Sequence, residues 1–295
     1  MAASYRHPQA IVDSRWLAEN LTAPDLRVFE CTVYLDPPGP DVDAPYVVRS
    51  GLEDYQRAHI PGAAFLDLQA ELSDNSSPSH LRFTMPAPED LAEALGRRGL
   101  GNDCRVVLYS RTNMQWATRI WWMLRAIGFD HAAVLDGGFD RWQLDGRPTQ
   151  GGVQDYPAAQ LDARPRDGLF AHLDDVKAAM DDRGVCTLNA LSPQLHSGED
   201  SRYGRAGRIP GSVNVPATAL QDPDDRTFAS AETAAAHFAE AGARPDQPVI
   251  VYCGGGIAAT LDAFLLWQLG YEQVRVYDAS MSEWARDISL PMTTG

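Results

Sequence analysis

Lysine is almost missing from this chain: Lys177 is the only one among 295 residues. Recognition of an anion therefore falls to arginine, whose planar guanidinium holds carboxylates and oxyanions through paired hydrogen bonds. Positive charge overall is also lacking. Forty acidic residues face 25 basic ones, a formal net charge of −15. That balance disfavours nucleic acid and anionic membrane as main partners, and leaves room for a small anionic substrate at a locally basic site. No apolar run approaches the roughly 20 residues of a membrane span. The start, Met1-Ala2-Ala3-Ser4-Tyr5-Arg6-His7, lacks the apolar core of a secretory signal, so the cytoplasm is the expected compartment. The four cysteines, Cys31, Cys104, Cys186 and Cys253, form no C-x-x-C pair, and the seven histidines fall at no metal-ligand spacing. No disulfide framework, metal or other cofactor is expected.

What remains is ordinary globular composition, 44% hydrophobic and 22% charged, at a length that suits about two domains. Short apolar runs alternate with helical patterns. In the first half, a helix over 13–21 precedes a strand over Leu26–Val33. A proline-rich loop covers 36–46 and a polar loop covers 73–80. Helices are expected from Pro88 and over Ala117–Ile127, the latter stopped by Gly128, and strands over Arg105–Tyr109 and Ala132–Asp136. Residues 149–167, with Gly151, Gly152, Pro157 and Pro165, read as a connection. The series then begins again. A helix over His172–Met180 is followed by a strand over Gly184–Ala190 and a helix over Ser230–Ala241. Strands over Val249–Tyr252 and Val274–Asp278 complete the set.

The second half repeats the first. Ile60-Pro61-Gly62 answers Ile209-Pro210-Gly211, Val106–Tyr109 answers Val249–Tyr252, and Leu135-Asp136-Gly137 with Trp142 answers Tyr277-Asp278-Ala279 with Trp284. The spacing is far too long for a solenoid, so the reading is two α/β domains, 1–150 and 151–295. Each is a mainly parallel sheet flanked by helices.

One stretch is built for chemistry. The apolar run Val249–Tyr252 stops at Cys253, three glycines follow, and a helical pattern covers Leu261–Leu269. Successive amides in a glycine-rich turn form an anion-holding nest, and a helix N-terminus adds partial positive charge. Both favour thiolate, the reactive form of cysteine. The bland alternative is a buried cysteine beside a tight turn. The repeat supplies a comparison: Tyr109-Ser110 stands opposite Tyr252-Cys253, and the loop from Ser110 to Trp116 is one residue longer and has neither glycine nor thiol. One working site and one structural partner is the expectation. Cys31, Cys104 and Cys186 sit in apolar sequence and read as small core residues.

With these marks in hand, the chain resembles the tandem-domain rhodanese family, the thiosulfate and 3-mercaptopyruvate sulfurtransferases. The resemblance runs from about Ser14 to Pro291. It is carried by His59-Ile60-Pro61-Gly62-Ala63, Ile120-Trp121-Trp122-Met123-Leu124-Arg125, Leu135-Asp136-Gly137-Gly138, Arg208-Ile209-Pro210-Gly211-Ser212-Val213-Asn214, and Tyr277-Asp278 with Ser282-Glu283-Trp284. It implies two rhodanese-like domains, the first catalytically inactive and the second carrying a nucleophilic cysteine, Cys253. That cysteine opens a six-residue loop in which Gly254, Gly255, Gly256, Ile257 and Ala258 cradle a persulfide. It also implies a small anionic sulfur donor, a thiol or cyanide acceptor, and a substrate-binding arginine near Arg202, Arg205 and Arg208; Arg202 matches best by spacing and Arg205 is the second candidate.

The sequence departs from the family inside the loop. Members that prefer thiosulfate carry cations at its second and third positions, where this chain has Gly254 and Gly255. Members that prefer mercaptopyruvate read Cys-Gly-Ser-Gly-Val-Thr, and here Gly255 and Ala258 replace the hydroxyls. The histidine of their proposed relay falls at Phe83, with His80 close by, and an arginine of the second-domain loop falls at Ser197. His196 reads as structural, and Trp121 and Trp122 as core or inter-domain packing. Two other readings stand beside sulfur transfer. A phosphatase needs an arginine six residues after the cysteine, where Ala259 stands. A non-enzymatic sulfur carrier or regulatory module needs no loop side chains.

Overall fold

The computed structural model describes residues 3–41, 44–78 and 80–295. Met1 and Ala2 of the expected leaderless start, and Val42, Asp43 and Ser79 of the two expected loops, lie outside the described residues.

The first half contributes strands β1 (Ile11–Val12), β2 (Leu26–Glu30), β3 (Val33–Asp36), β4 (Val47–Ser50), β5 (Ala64–Phe65), β6 (Arg105–Tyr109) and β7 (Ala132–Leu135). The second contributes β8 (Phe170–Ala171), β9 (Cys186–Asn189), β10 (Val213–Asn214), β11 (Val249–Tyr252) and β12 (Val274–Tyr277). Two five-stranded parallel sheets result, β1-β7-β6-β2-β5 and β10-β9-β11-β12-β8. Read from opposite ends, these orders are the same, so the internal repeat is a repeat of topology. β7, β9 and β11 are buried along their whole length, as expected of parallel strands covered on both faces.

Three details differ from the sequence reading. The strand expected over Leu26–Val33 leaves the sheet after Glu30, where the Cys31 amide bonds the Tyr109 carbonyl at 2.8 Å. The chain then forms an antiparallel ribbon, β3 with β4, pairing Val33 with Ser50 and Asp36 with Val47. The helix after Cys253 covers Ala258–Gln268 and starts three residues earlier than its apolar pattern, because Ala258 and Ala259 are strong helix formers.

That helix is buried on nearly every side and packs against its counterpart, Gln115–Ala126, across the seam between the halves. Trp121 meets Phe264 edge-on at 4.7 Å and Trp267 at 4.8 Å. One apolar cluster runs from Phe29 and Leu108 through Trp121 and Phe264 to Val251 and Val276. The two halves therefore share a core, which fixes the first half against the end of β11.

Candidate functional site

Cys253 lies at the carboxyl end of β11 with 2% of its surface exposed, and all four cysteines are free and buried. Carboxyl ends of parallel strands are where open α/β sheets bind ligands. The loop that follows is held from outside by the segment Ser280–Ser282. Ser280 Oγ accepts from the amides of Cys253 (3.0 Å) and Gly256 (3.2 Å) and donates to the Tyr277 carbonyl (2.7 Å). The Met281 amide donates to the Cys253 carbonyl (3.1 Å), and the amide and hydroxyl of Ser282 both reach the Gly254 carbonyl (2.8 and 2.7 Å). Ser280 itself sits at φ 52°, a left-handed conformation uncommon outside glycine. The amide of Gly256, one of five expected to line the cradle, is thus committed to Ser280. Among the described residues no acceptor meets the amides of Gly254, Gly255 or Ile257, and the Ala258 amide opens the first turn of its helix.

The three glycines are not equivalent. Gly256 has φ +71°, and a Cβ there would come within 2.6 Å of the Asp278 carbonyl oxygen. At Gly254 the Tyr203 hydroxyl occupies the space a side chain would need. Gly255 would accept a Cβ in ordinary contact, 3.5 Å from the Tyr46 hydroxyl and 3.7 Å from Ser282 Oγ.

Arg119, from the first-half helix, is fully buried and reaches across the seam. Its guanidinium donates to the carbonyls of Gly256 (3.2 Å) and Phe83 (2.6 Å) and pairs with Asp278 (2.6 Å). Asp278 also accepts from the Met85 amide at 2.8 Å. Phe83, where the resemblance puts a histidine, is a buried ring at φ 62° packed on Trp116 and takes no part in proton transfer.

A cleft of about 870 Å³ opens in front of the loop. Tyr46, Tyr203 and Ser282 line it and also touch the loop, so the thiol lies behind them. Arg82, Arg202, Arg205, Arg286 and His80 line it too, and among the described residues no carboxylate does. Burial and the Arg286 charge hold the His80 pKa below its ordinary value, which favours a neutral ring.

The candidate arginines separate. Arg202 lines the cleft, half exposed, and pairs with Asp200 at 2.5 Å. Arg205 is instead woven into the backbone, donating to the carbonyls of Trp284, Ala285, Asp287 and Leu290 at 2.7–2.8 Å. Those bonds leave its guanidinium less free than that of Arg202, although it also lines the cleft. Arg208 donates to the carbonyls of His196 and Gly295. His196 contacts Asn189 at 3.2 Å, and burial followed by the Arg208 charge lowers its pKa to about 4. Tyr46, Arg82, Arg119, Ser280 and Arg286 have no part in the sequence reading. Only Ser280 had a local signal, lying between Tyr277-Asp278 and Ser282-Glu283-Trp284.

The corresponding place in the first half is filled. Arg111, next to Ser110, pairs with the fully buried Glu30 at 2.5 Å, donates to the Ala58 carbonyl and lies 3.8 Å above the Phe139 ring. In the second half the residues at these positions are Gly254 and Asn189.

Comparison with known proteins bears on the family and the fold. The Rhodanese-like domain matches twice, over residues 40–145 and 172–287. The chain is 31% identical to a 3-mercaptopyruvate sulfurtransferase of Escherichia coli over 289 residues, 95% of this chain and 96% of that protein. It is equally similar, 31% over 305 residues and 99% of each chain, to the sulfur carrier protein TtuD of Thermus thermophilus. The crystal structure of SseA from Escherichia coli, described as a 3-mercaptopyruvate sulfotransferase of rhodanese fold, superposes with a TM-score of 0.79. It is 30% identical and covers 92% of this chain and 98% of its own.

Proposed function

The chain belongs to the rhodanese family, and from that premise we propose that it is a sulfurtransferase moving sulfane sulfur through a persulfide on Cys253. The observation that carries the reading is the cleft. In a protein of net charge −15, a cavity lined by four arginines and a histidine, with no carboxylate among the described residues, fronts a buried cysteine loop. Such a cavity draws in a small anion against the global field.

The donor is thiosulfate or 3-mercaptopyruvate. The Cys253 thiolate attacks the outer sulfur; a sulfur–sulfur bond forms as the S–S or C–S bond of the donor breaks. The bonding pair leaves on sulfite, or on the enolate that becomes pyruvate on protonation at carbon. The amides of Gly254, Gly255, Ile257 and Ala258, with the N-terminus of the helix Ala258–Gln268, stabilise the persulfide anion in place of side chains, which this loop lacks. A thiol or cyanide then removes the outer sulfur, which gives ping-pong kinetics. Domain 151–295 carries the thiol, and domain 1–150, its own cradle filled by Arg111 and Glu30, is catalytically inactive.

The test is intact mass after incubation with each donor. The wild type gains one sulfur and Cys253→Ser gains none; absence of an adduct with both donors overturns the reading. A second reading, a sulfur carrier without useful turnover, is favoured by the likeness to TtuD. A chain that loads sulfur once but does not cycle with cyanide or a thiol identifies it.

A further inference from the structure

The loop Cys253-Gly254-Gly255-Gly256-Ile257-Ala258 carries no hydroxyl of its own, and most hydroxyls around it are already engaged. Ser280 Oγ accepts two amides and donates to Tyr277. Ser282 Oγ donates to the Gly254 carbonyl, and Thr260 Oγ1 to the Ile257 carbonyl at 2.7 Å. The Tyr203 hydroxyl presses directly on Gly254, so nothing fits between it and the loop. The Tyr46 hydroxyl is different. It faces Gly255, where a Cβ would meet only ordinary contacts. Its hydrogen-bonding neighbour is Ser282, whose own proton is held by the Gly254 carbonyl, so the phenol proton can turn from Ser282 Oγ to a ligand in the cleft. Tyr46 is 8% exposed and lines the cleft beside Arg82, and among the described residues Arg82 has no carboxylate within ion-pair distance.

We propose that Tyr46 and Arg82, both from the first half, form a recognition pair for an α-keto acid donor. Arg82 holds the carboxylate, and the Tyr46 hydroxyl donates to the adjacent keto oxygen. This rests on the sulfurtransferase reading of Cys253 and adds a substrate preference to it. When Cys253 Sγ takes the sulfur of 3-mercaptopyruvate, the C–S bonding pair moves into the keto group and its oxygen becomes an enolate. The thiol proton stays on the transferred sulfur, and the enolate carbon later takes a proton from water. A hydrogen bond to that oxygen strengthens as charge develops, so it accelerates the step. With thiosulfate the three oxygens on the departing sulfur already share negative charge in the ground state, so the change at any one of them is smaller and a single donor gains less. Burial, followed by the Cys253 charge, pushes the Tyr46 pKa up to about 12, so the phenol keeps its proton at neutral pH.

The experiment is Tyr46→Phe, followed by single-turnover loading of Cys253 from each donor and by intact mass. Loading from 3-mercaptopyruvate falls roughly tenfold to hundredfold, the range for one lost oxyanion donor. Loading from thiosulfate stays within about twofold, as expected where little differential interaction is lost. Adding Gly255→Ser, whose Cβ would stand 3.5 Å from the Tyr46 hydroxyl, restores part of the loss. Equal losses with both donors mark a packing role and overturn the proposal. So does a Tyr46→Phe variant that loads normally from 3-mercaptopyruvate, and so does a wild type that loads from thiosulfate alone. A wild type that loads from neither donor overturns the reading of Cys253 itself. Where only 3-mercaptopyruvate loads, rescue by Gly255→Ser decides: recovery supports the pair, and no recovery overturns it.

Discussion

The side-chain oxygens of Thr118 and Thr260 meet at 3.0 Å in the buried seam between the two halves. The two residues stand equally far before Gly128 and Gly270, the glycines that follow their helices, so the internal repeat brings one position into contact with itself. Each hydroxyl has a second partner, the Gln115 carbonyl for Thr118 and the Ile257 carbonyl for Thr260. Thr118→Val and Thr260→Val should each cost about 1 kcal/mol of unfolding free energy, the usual net worth of a buried hydrogen bond. The double variant should cost less than the sum, with a coupling of roughly 0.5–1 kcal/mol in denaturant titrations. Strict additivity would mean that the contact contributes nothing.

Gly256 and Gly255 are neighbours with opposite tolerance. Gly256→Ala forces a side chain into left-handed backbone, at roughly 1–3 kcal/mol, and presses a methyl on the Asp278 carbonyl. Sulfur transfer should fall along with the melting temperature. Gly255→Ala meets only ordinary contacts and should stay within about 0.5 kcal/mol of the wild type. Similar melting curves for the two variants would contradict this account of the loop.

Arg202 and Arg205 should part company in kinetics and stability. Arg205→Ala takes the guanidinium donors from four carbonyls at and beyond the end of the helix Ser280–Trp284, for about 2–4 kcal/mol, and lowers the melting temperature. Arg202→Ala loses an exposed pair with Asp200, so stability stays within about 0.5 kcal/mol while KM for an anionic donor rises. A destabilised Arg202→Ala with unchanged KM would reverse the assignment.

Asp262 is fully buried in the helix Ala258–Gln268, and both its carboxylate oxygens lack a hydrogen-bond partner among the described residues. Burial pushes its pKa well above the carboxylate range. A raised acid pKa means the folded state resists ionisation. The penalty is absent below the unfolded pKa, grows as pH rises above about 4, and levels off only at the folded pKa. Asp262→Asn should therefore stabilise the protein more at pH 8 than at pH 4, by about 1–3 kcal/mol at the higher pH. A gain independent of pH would rule out ionisation as the cause.

The fold was legible because it is repeated. Two occurrences of Ile-Pro-Gly, of an apolar strand ending in Tyr, and of a helix stopped by glycine leave little freedom in topology. The position of Cys253 was legible because the glycines follow it directly. The ribbon of β3 and β4 was not, since its strands are short and half exposed and carry little apolar period. The walls of the site were not either. Tyr46, Arg82 and Arg119 belong to the half without the thiol, and no local pattern reports a contact across a domain seam. Arg205 looked like Arg202 because its acceptors lie about 80 positions further along. Charge and spacing cannot tell a guanidinium that waits for a ligand from one already surrounded by carbonyls.

The hold of Ser280–Ser282 on the cysteine loop has a consequence for when the site comes into being. The strand, the thiol and the glycines are all synthesised before Ser280, yet the Cys253 and Gly256 amides find their acceptor only there. A nascent chain that has passed Ala258 owns every atom of the cradle and none of its brace. On the sulfurtransferase reading, a product truncated before Ser280 should therefore lack a working site.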